Sequence, residues 1–197
     1  MTTNQELDII ARMRSEVHSR KKDTGVNLFL VWGYPTAVVF LLEFVVLLFL
    51  QKHWYEWLWA GIPLIGTPLM IYFLNEDYER TRCRTLEQNI ILMMWIFIGF
   101  ASCIGGAAMG FVGIFPLCYC AYQSLLVGMG CFMTGIILHF RPKTICGIIA
   151  SFLSAVPLFL QGDLWPWQLL VASLIAVVAL IIPGHLFRRY VKSERNP

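Results

Sequence analysis

The chain has 197 residues, of which 58% are hydrophobic, a mean hydropathy of +0.67 and a formal net charge of +3. Soluble domains average roughly 45–50% apolar residues, so this composition excludes an ordinary soluble globular protein and indicates a membrane protein. The small positive charge does not indicate nucleic-acid binding, because the basic residues cluster at the ends of apolar runs, as in membrane proteins.

The first 23 residues are predicted to form a cytoplasmic amphipathic and basic segment. Thr3 and Glu6 have the spacing of a capping box, and apolar side chains follow at helical spacing from Leu7 to Val17. The segment also carries a basic group that predicts contact with anionic membrane lipid, namely Arg12, Arg20, Lys21 and Lys22. Docking of a cytosolic partner protein on the same helix is the alternative.

Residues 24–187 contain six long apolar runs, and each is close to the roughly 20 residues that cross about 30 Å of hydrocarbon as a helix. The runs are Val26–Leu50, Trp54–Leu74, Ile90–Gly110, Ile114–Phe140, Thr144–Leu160 and Gln168–Phe187. They are continuous, whereas the strands of a membrane barrel alternate between apolar and polar residues. The sequence therefore predicts an all-α integral membrane protein, a bundle of six transmembrane helices.

The distribution of basic residues predicts the orientation of this bundle. Fourteen of the fifteen lysines and arginines lie in alternate gaps between the runs, with Arg141 and Lys143 assigned to the connection before the fifth run. Lys52 is the exception. Because cytoplasmic loops are enriched in basic residues, both termini should be cytoplasmic, including the basic tail 188–197.

Glu43 is the main candidate functional residue, because it is the only acidic residue well inside a predicted span. Such groups are costly in hydrocarbon and often mark ion, proton or substrate paths. On the predicted topology several polar residues share its outer half of the membrane and could form an outward-facing pocket with it: Thr67, Ser102, Gln123 and Ser124. The alternative is that these side chains only join helices by hydrogen bonds.

No counter-ion for Glu43 is predicted, since every lysine and arginine is assigned to a segment outside the spans. Whether Glu43 is neutral or ionised stays open. The six cysteines include no CxxC pair, the four histidines include no HExxH motif, and no nucleophile is paired with a base. The sequence thus predicts neither a metal site nor a cofactor, and it argues against an enzyme.

The chain resembles a group of uncharacterised small bacterial membrane proteins with six predicted spans, often encoded beside a winged-helix regulator. The resemblance rests on the charged amphipathic start, on the LVWG sequence of residues 30–33 and on the IIPG sequence of residues 181–184. It implies a location in the bacterial cytoplasmic membrane and a role in sensing or signalling, but no catalytic residues.

Two functions follow as hypotheses. The first is a non-enzymatic sensor or interaction scaffold that binds an apolar or amphiphilic ligand, or a partner protein, and signals at the cytoplasmic face. The alternative is a small transporter or channel in which Glu43 responds to protons or cations. The sequence does not predict the identity of a ligand, the oligomeric state or an interior cavity.

Overall fold

The computed structural model describes residues 29–49, 58, 61–81, 86–113 and 115–195, and all regular secondary structure in these ranges is helical. The α-helices are α1 Phe29–Phe49, α2 Gly61–Thr81, α3 Leu86–Val112, α4 Phe115–Ile137, α5 Arg141–Leu153, α6 Val156–Phe159, α7 Pro166–Ala176 and α8 Ile182–Arg195. A 3₁₀ turn, Gly162–Leu164, precedes α7, and a π-helical segment, Val177–Ile181, joins α7 to α8.

Within the described residues, five helical segments are long and apolar enough to cross a membrane. They are Phe29–Phe49, Leu86–Met109, Cys118–Ile137, Arg141–Phe159 and Pro166–Tyr190. The prediction of an all-helical protein with helices able to cross a membrane is therefore confirmed. The second predicted span, Trp54–Leu74, overlaps α2, which continues into the polar sequence from Asn75 to Thr81 and is not among the five. The predicted amphipathic segment 1–23 lies outside the described residues.

The first and last spans pack against each other in antiparallel orientation. A Cβ atom at Gly33 would lie 2.9 Å from Cβ of Leu180, which places the backbones of α1 and the π-helical segment in close contact. Near the other end of α1, the rings of Phe44 and Trp167 lie 5.3 Å apart. α1 is therefore packed along most of its length against α7, the π-helical segment and α8.

The connection between α4 and α5 is a Schellman turn. His139 adopts a left-handed backbone conformation, with φ 51°. The N–H of Phe140 donates to the carbonyl of Gly135 at 2.9 Å, and the N–H of His139 donates to the carbonyl of Ile136 at 3.0 Å. This is the bonding pattern that satisfies the last carbonyls of a helix. The predicted boundary was therefore too late, because α5 begins at Arg141 and includes Lys143.

Glycines allow α4 and α5 to approach at backbone distance. A Cβ atom at Gly135 would lie 2.5 Å from the backbone nitrogen of Thr144, and one at Gly147 would overlap the backbone of Phe132. Small residues have this role in membrane helices, where close packing replaces the hydrophobic driving force. The α4–α5 hairpin is thus a rigid unit, and its buried face, which includes Cys131 and Ala150, packs on α7 and the π-helical segment.

Prolines account for the two interruptions in the last spans. Pro157 has no N–H to donate, and the chain turns at residues 154–155 before α6 begins. Pro183 lies in the first turn of α8, immediately after the π-helical segment. π-Helical bulges commonly accommodate such a disturbance of the hydrogen-bond ladder.

Candidate functional site

The carboxyl side chain of Glu43 is enclosed within the bundle. Glu43 lies on α1 and is 0% exposed, and its carboxylate is within electrostatic range of Tyr119 and Cys120 on α4. One turn earlier on α1, Phe40 forms a buried cluster with Cys120 and Leu169. Glu43 therefore faces α4 and α7 and does not face lipid.

Polar side chains continue from Tyr119 towards α3. Tyr119 and Ser102 share a side-chain hydrogen bond, and Ser102 Oγ also donates to Gln123 Oε1. Three of the predicted residues, Glu43, Ser102 and Gln123, thus belong to one group that is completed by Tyr119. We call these four residues the Glu43 cluster. Hydrogen bonds join its members on α3 and α4, and Glu43 on α1 lies within electrostatic range of Tyr119. Such groups can hold a proton or orient a small cation.

The other two predicted members of the polar pocket are placed differently. Thr67 is exposed on α2, and the adjacent Gly66 packs on the ring of Trp32. Trp32 is eleven residues before Glu43, which is about 16 Å along a helix. Ser124 is buried on α4. The structure thus brings Ser102 and Gln123 into contact and leaves Thr67 away from Glu43.

Lys143 is a buried basic residue that sequence reasoning missed. It had been assigned to a loop and counted towards the orientation, yet it lies in the first turn of α5 and is 0% exposed. Its ammonium lies over the ring of Phe29, and its Nζ has no hydrogen-bond partner among the described residues. The expectation that the spans contain no basic residue was wrong, because the α4–α5 turn is too short to keep Lys143 outside the bundle.

The neighbours of Lys143 are the ring of Phe29 and two thiols. Cys131 on α4 and Cys146 on α5 are within electrostatic range of its Nζ. Because Lys143 contacts Phe29 and Glu43 is fourteen residues further along α1, the two groups are about 21 Å apart along the helix axis. Lys143 is therefore not the counter-ion of Glu43, and the bundle contains two separate buried ionisable sites.

An open apolar groove of about 470 Å³ lies between α1 and α2. Its lining residues are Leu30, Val31, Tyr34, Pro35, Val38, Ile65 and Leu69. The hydroxyl group of Tyr34 shares a hydrogen bond of 2.7 Å with Nε2 of His185 on α8, and both residues are exposed. We call this feature the α1–α2 groove. Its volume is within the range of small-molecule sites, roughly 300–1,000 Å³.

The remaining predicted residues are not tested by the structure. Arg12, Arg20, Lys21 and Lys22 lie outside the described residues. In the part of the chain that the structure describes, no group of three or more histidine, cysteine or acidic side chains could hold a metal ion.

In comparisons with known proteins, no family model, characterised protein or solved structure matches the chain. The resemblance to an uncharacterised six-span family therefore stays a prediction.

Proposed function

We propose that this chain is a non-enzymatic sensor or interaction scaffold of the bacterial cytoplasmic membrane, with six spans and both termini in the cytoplasm. Its ligand is an apolar or amphiphilic molecule taken from the surrounding lipid, and its signal reaches a partner at the cytoplasmic ends of the helices. The observation that carries the proposal is the α1–α2 groove, which is lined by apolar side chains and opens at the surface of the helices.

The contrast between the groove and the buried ionisable residues supports sensing over transport. A lipid-soluble ligand can enter the groove by lateral diffusion, without any opening of the bundle. Glu43 and Lys143 are both completely enclosed, so a transported ion would need a rearrangement of the helices around each of them. Ligand binding therefore requires less structural change than ion passage.

The packing of α1 supports transmission of a signal. α1 both lines the groove and packs closely on the last span: Leu30, which lines the groove, would lie 2.8 Å from a Cβ atom at Gly184 on α8. Closely packed interfaces shift between discrete arrangements and do not deform continuously. A ligand that displaces α1 would therefore also move α8, which ends in basic residues.

The test is amide hydrogen exchange of α8 in lipid nanodiscs, with and without a lipid extract of a bacterial host membrane. We expect the extract to alter exchange in α8 of the native protein, and Val38→Trp, which fills the groove, to remove the response. Leu174→Trp is the matched control, because Leu174 is also exposed and apolar but lies on α7. An unresponsive native protein, or equal responses in the native protein and Val38→Trp, would contradict the proposal.

A second candidate function is a small transporter or channel in which Glu43 responds to protons or cations. The observation that favours it is the burial of Glu43 beside a continuous polar cluster across three helices. In liposomes, Glu43→Gln should then abolish flux driven by a pH gradient, whereas Asp163→Asn, at an exposed acidic residue, should not. If the native protein moves neither protons nor cations, this function is excluded.

A further inference from the structure

We infer that the α1–α2 groove binds a single-chain amphiphile with an anionic head group, such as a long-chain carboxylate, and that Arg188 and Arg189 bind the head group. This inference rests on the proposed function, since it names the class of ligand that the sensor detects. It is argued from the shape of the groove, from the polar pair at its wall and from the charges at its end.

The shape of the groove fits one extended hydrocarbon chain of a ligand. On α1 its wall includes Leu30, Tyr34 and Val38, which are spaced by four residues and so form one row along the helix. On α2 the facing row contains Ile65 and Leu69, again spaced by four. From residue 30 to residue 38 the row extends about 12 Å. Val31 and Pro35 form a second, adjacent row on α1, and all these rows run along the helices, so the groove follows a straight path that suits one extended hydrocarbon chain.

One wall of the groove also has a polar side. Tyr34 lines the groove, and its hydroxyl is bonded to the imidazole of His185, with the two rings in an edge-to-face arrangement 6.1 Å apart. Both side chains remain exposed, so the pair can offer a further hydrogen bond to a ligand. The groove is thus apolar along its length and has one hydrogen-bonding position towards α8.

The end of the groove near Leu30 carries positive charge. Gly184 packs on Leu30, and α8 runs antiparallel to α1, so Arg188 lies about 6 Å beyond Leu30 along the axis. Arg188 and Arg189 follow His185 by three and four residues, which places all three on one side of α8. Both arginines are exposed. Guanidinium groups bind carboxylates and phosphates through paired hydrogen bonds, so the charge complementarity selects an anionic head group.

The experiment is photo-cross-linking with a diazirine-labelled palmitate, using the full chain in phosphatidylcholine nanodiscs and mapping the labelled peptides by mass spectrometry. Unlabelled palmitate and hexadecanol, which have the same chain length, compete for the site. We expect labelling within the groove on α1 or α2 and about tenfold stronger competition by palmitate than by hexadecanol, the difference expected for one charge-assisted contact.

Variants distinguish the site that binds the hydrocarbon chain from the site that binds the head group. Val38→Trp should reduce groove labelling at least about tenfold, the size expected when a bulky ring displaces the ligand, and Leu174→Trp should leave it unchanged. Arg188→Gln with Arg189→Gln should remove the preference for palmitate, whereas Arg188→Lys with Arg189→Lys should retain at least part of it. The lysine pair shows whether loss of preference comes from loss of charge or from misfolding.

The outcomes distinguish this inference from the proposed function. If the groove is labelled but palmitate and hexadecanol compete equally, the preference for an anionic head group is wrong. The proposed function as a sensor of amphiphiles would then be retained. Labelling spread evenly over lipid-facing positions such as Phe152 and Leu174, and unchanged by Val38→Trp, would overturn the groove site and the proposed function together. In a separate disulfide cross-linking test without palmitate, efficient linkage of two copies through Leu69→Cys on α2 would overturn the ligand site and identify the groove as a protein interface.

Discussion

The two ends of the bundle bury ionisable side chains in different ways. At one end, the carboxyl group of Glu43 is enclosed within electrostatic range of Tyr119, which shares a hydrogen bond with Ser102, and Ser102 donates to Gln123. At the other end, the amine of Lys143 lies against the ring of Phe29, and its Nζ has no hydrogen-bond partner in the described ranges.

The two side chains are therefore buried in different surroundings, one beside a polar cluster and the other against an aromatic ring. Near Glu43, the hydrogen bonds between Tyr119 and Ser102 and between Ser102 and Gln123 join α3 and α4, and hydrogen bonds between membrane helices contribute about 0.6 kcal/mol each on average. At Lys143 the desolvation cost of the amine is offset by the surrounding structure, since backbone contact between α4 and α5 places the side chain inside the bundle. Glu43 is thus buried next to a polar cluster, and Lys143 is enclosed by the packing of α4 on α5.

The largest expected effect tests that scaffold. Gly147→Ala should lower the free energy of unfolding by about 3 kcal/mol, because the new Cβ would overlap the backbone of Phe132 and overpacking of this kind is costly. Thermal or denaturant unfolding in detergent micelles measures the change. Gly99→Ala is the matched control, since the same methyl group meets nothing within 4 Å in α3 and should be neutral or stabilising. Equal behaviour of the two variants would show that α4 and α5 are not in backbone contact.

A change of opposite sign is expected at Lys143 itself. Lys143→Met should raise the free energy of unfolding by about 2 kcal/mol, because methionine fills a similar space without burying a polar amine. Lys143→Gln should give a smaller gain, since it removes the amine but keeps a polar group. If Lys143→Met instead destabilises the protein, the amine has a polar partner that stabilises it, and the comparison with Glu43 fails.

The smallest expected effect is at Glu43, at the other end of the bundle from Lys143. Glu43→Leu should lower the free energy of unfolding by about 1 kcal/mol, because it removes a polar group from beside the Tyr119, Ser102 and Gln123 side chains, and Glu43→Gln should lower it less. The same unfolding assay applies. Combining Glu43→Leu with Ser102→Ala should cost less than the two single changes added together, since both act on the Glu43 cluster. Strict additivity would mean that Glu43 and Ser102 are energetically independent.

Part of this site could be predicted from the sequence, because an ionisable residue within an apolar run is energetically costly in a membrane and is easy to recognise. An acidic residue in the middle of an apolar run is expensive, so Glu43 was found at once, and a depth argument placed Ser102 and Gln123 in the same half of the membrane. Tyr119 was missed, since a tyrosine in an apolar run is equally typical of interfacial and core positions. Thr67 was included on depth alone, and the rotation of α2 left it exposed.

By itself, the sequence determined that the chain is helical and belongs in a membrane, because run length and hydropathy depend only on local composition. Only the tertiary structure decided that Lys143 is enclosed, that Glu43 meets the Ser102–Gln123 pair through Tyr119, and that α1 and α2 leave a groove beside His185. Those features depend on turn geometry and helix rotation, which are set by contacts between residues far apart in the chain.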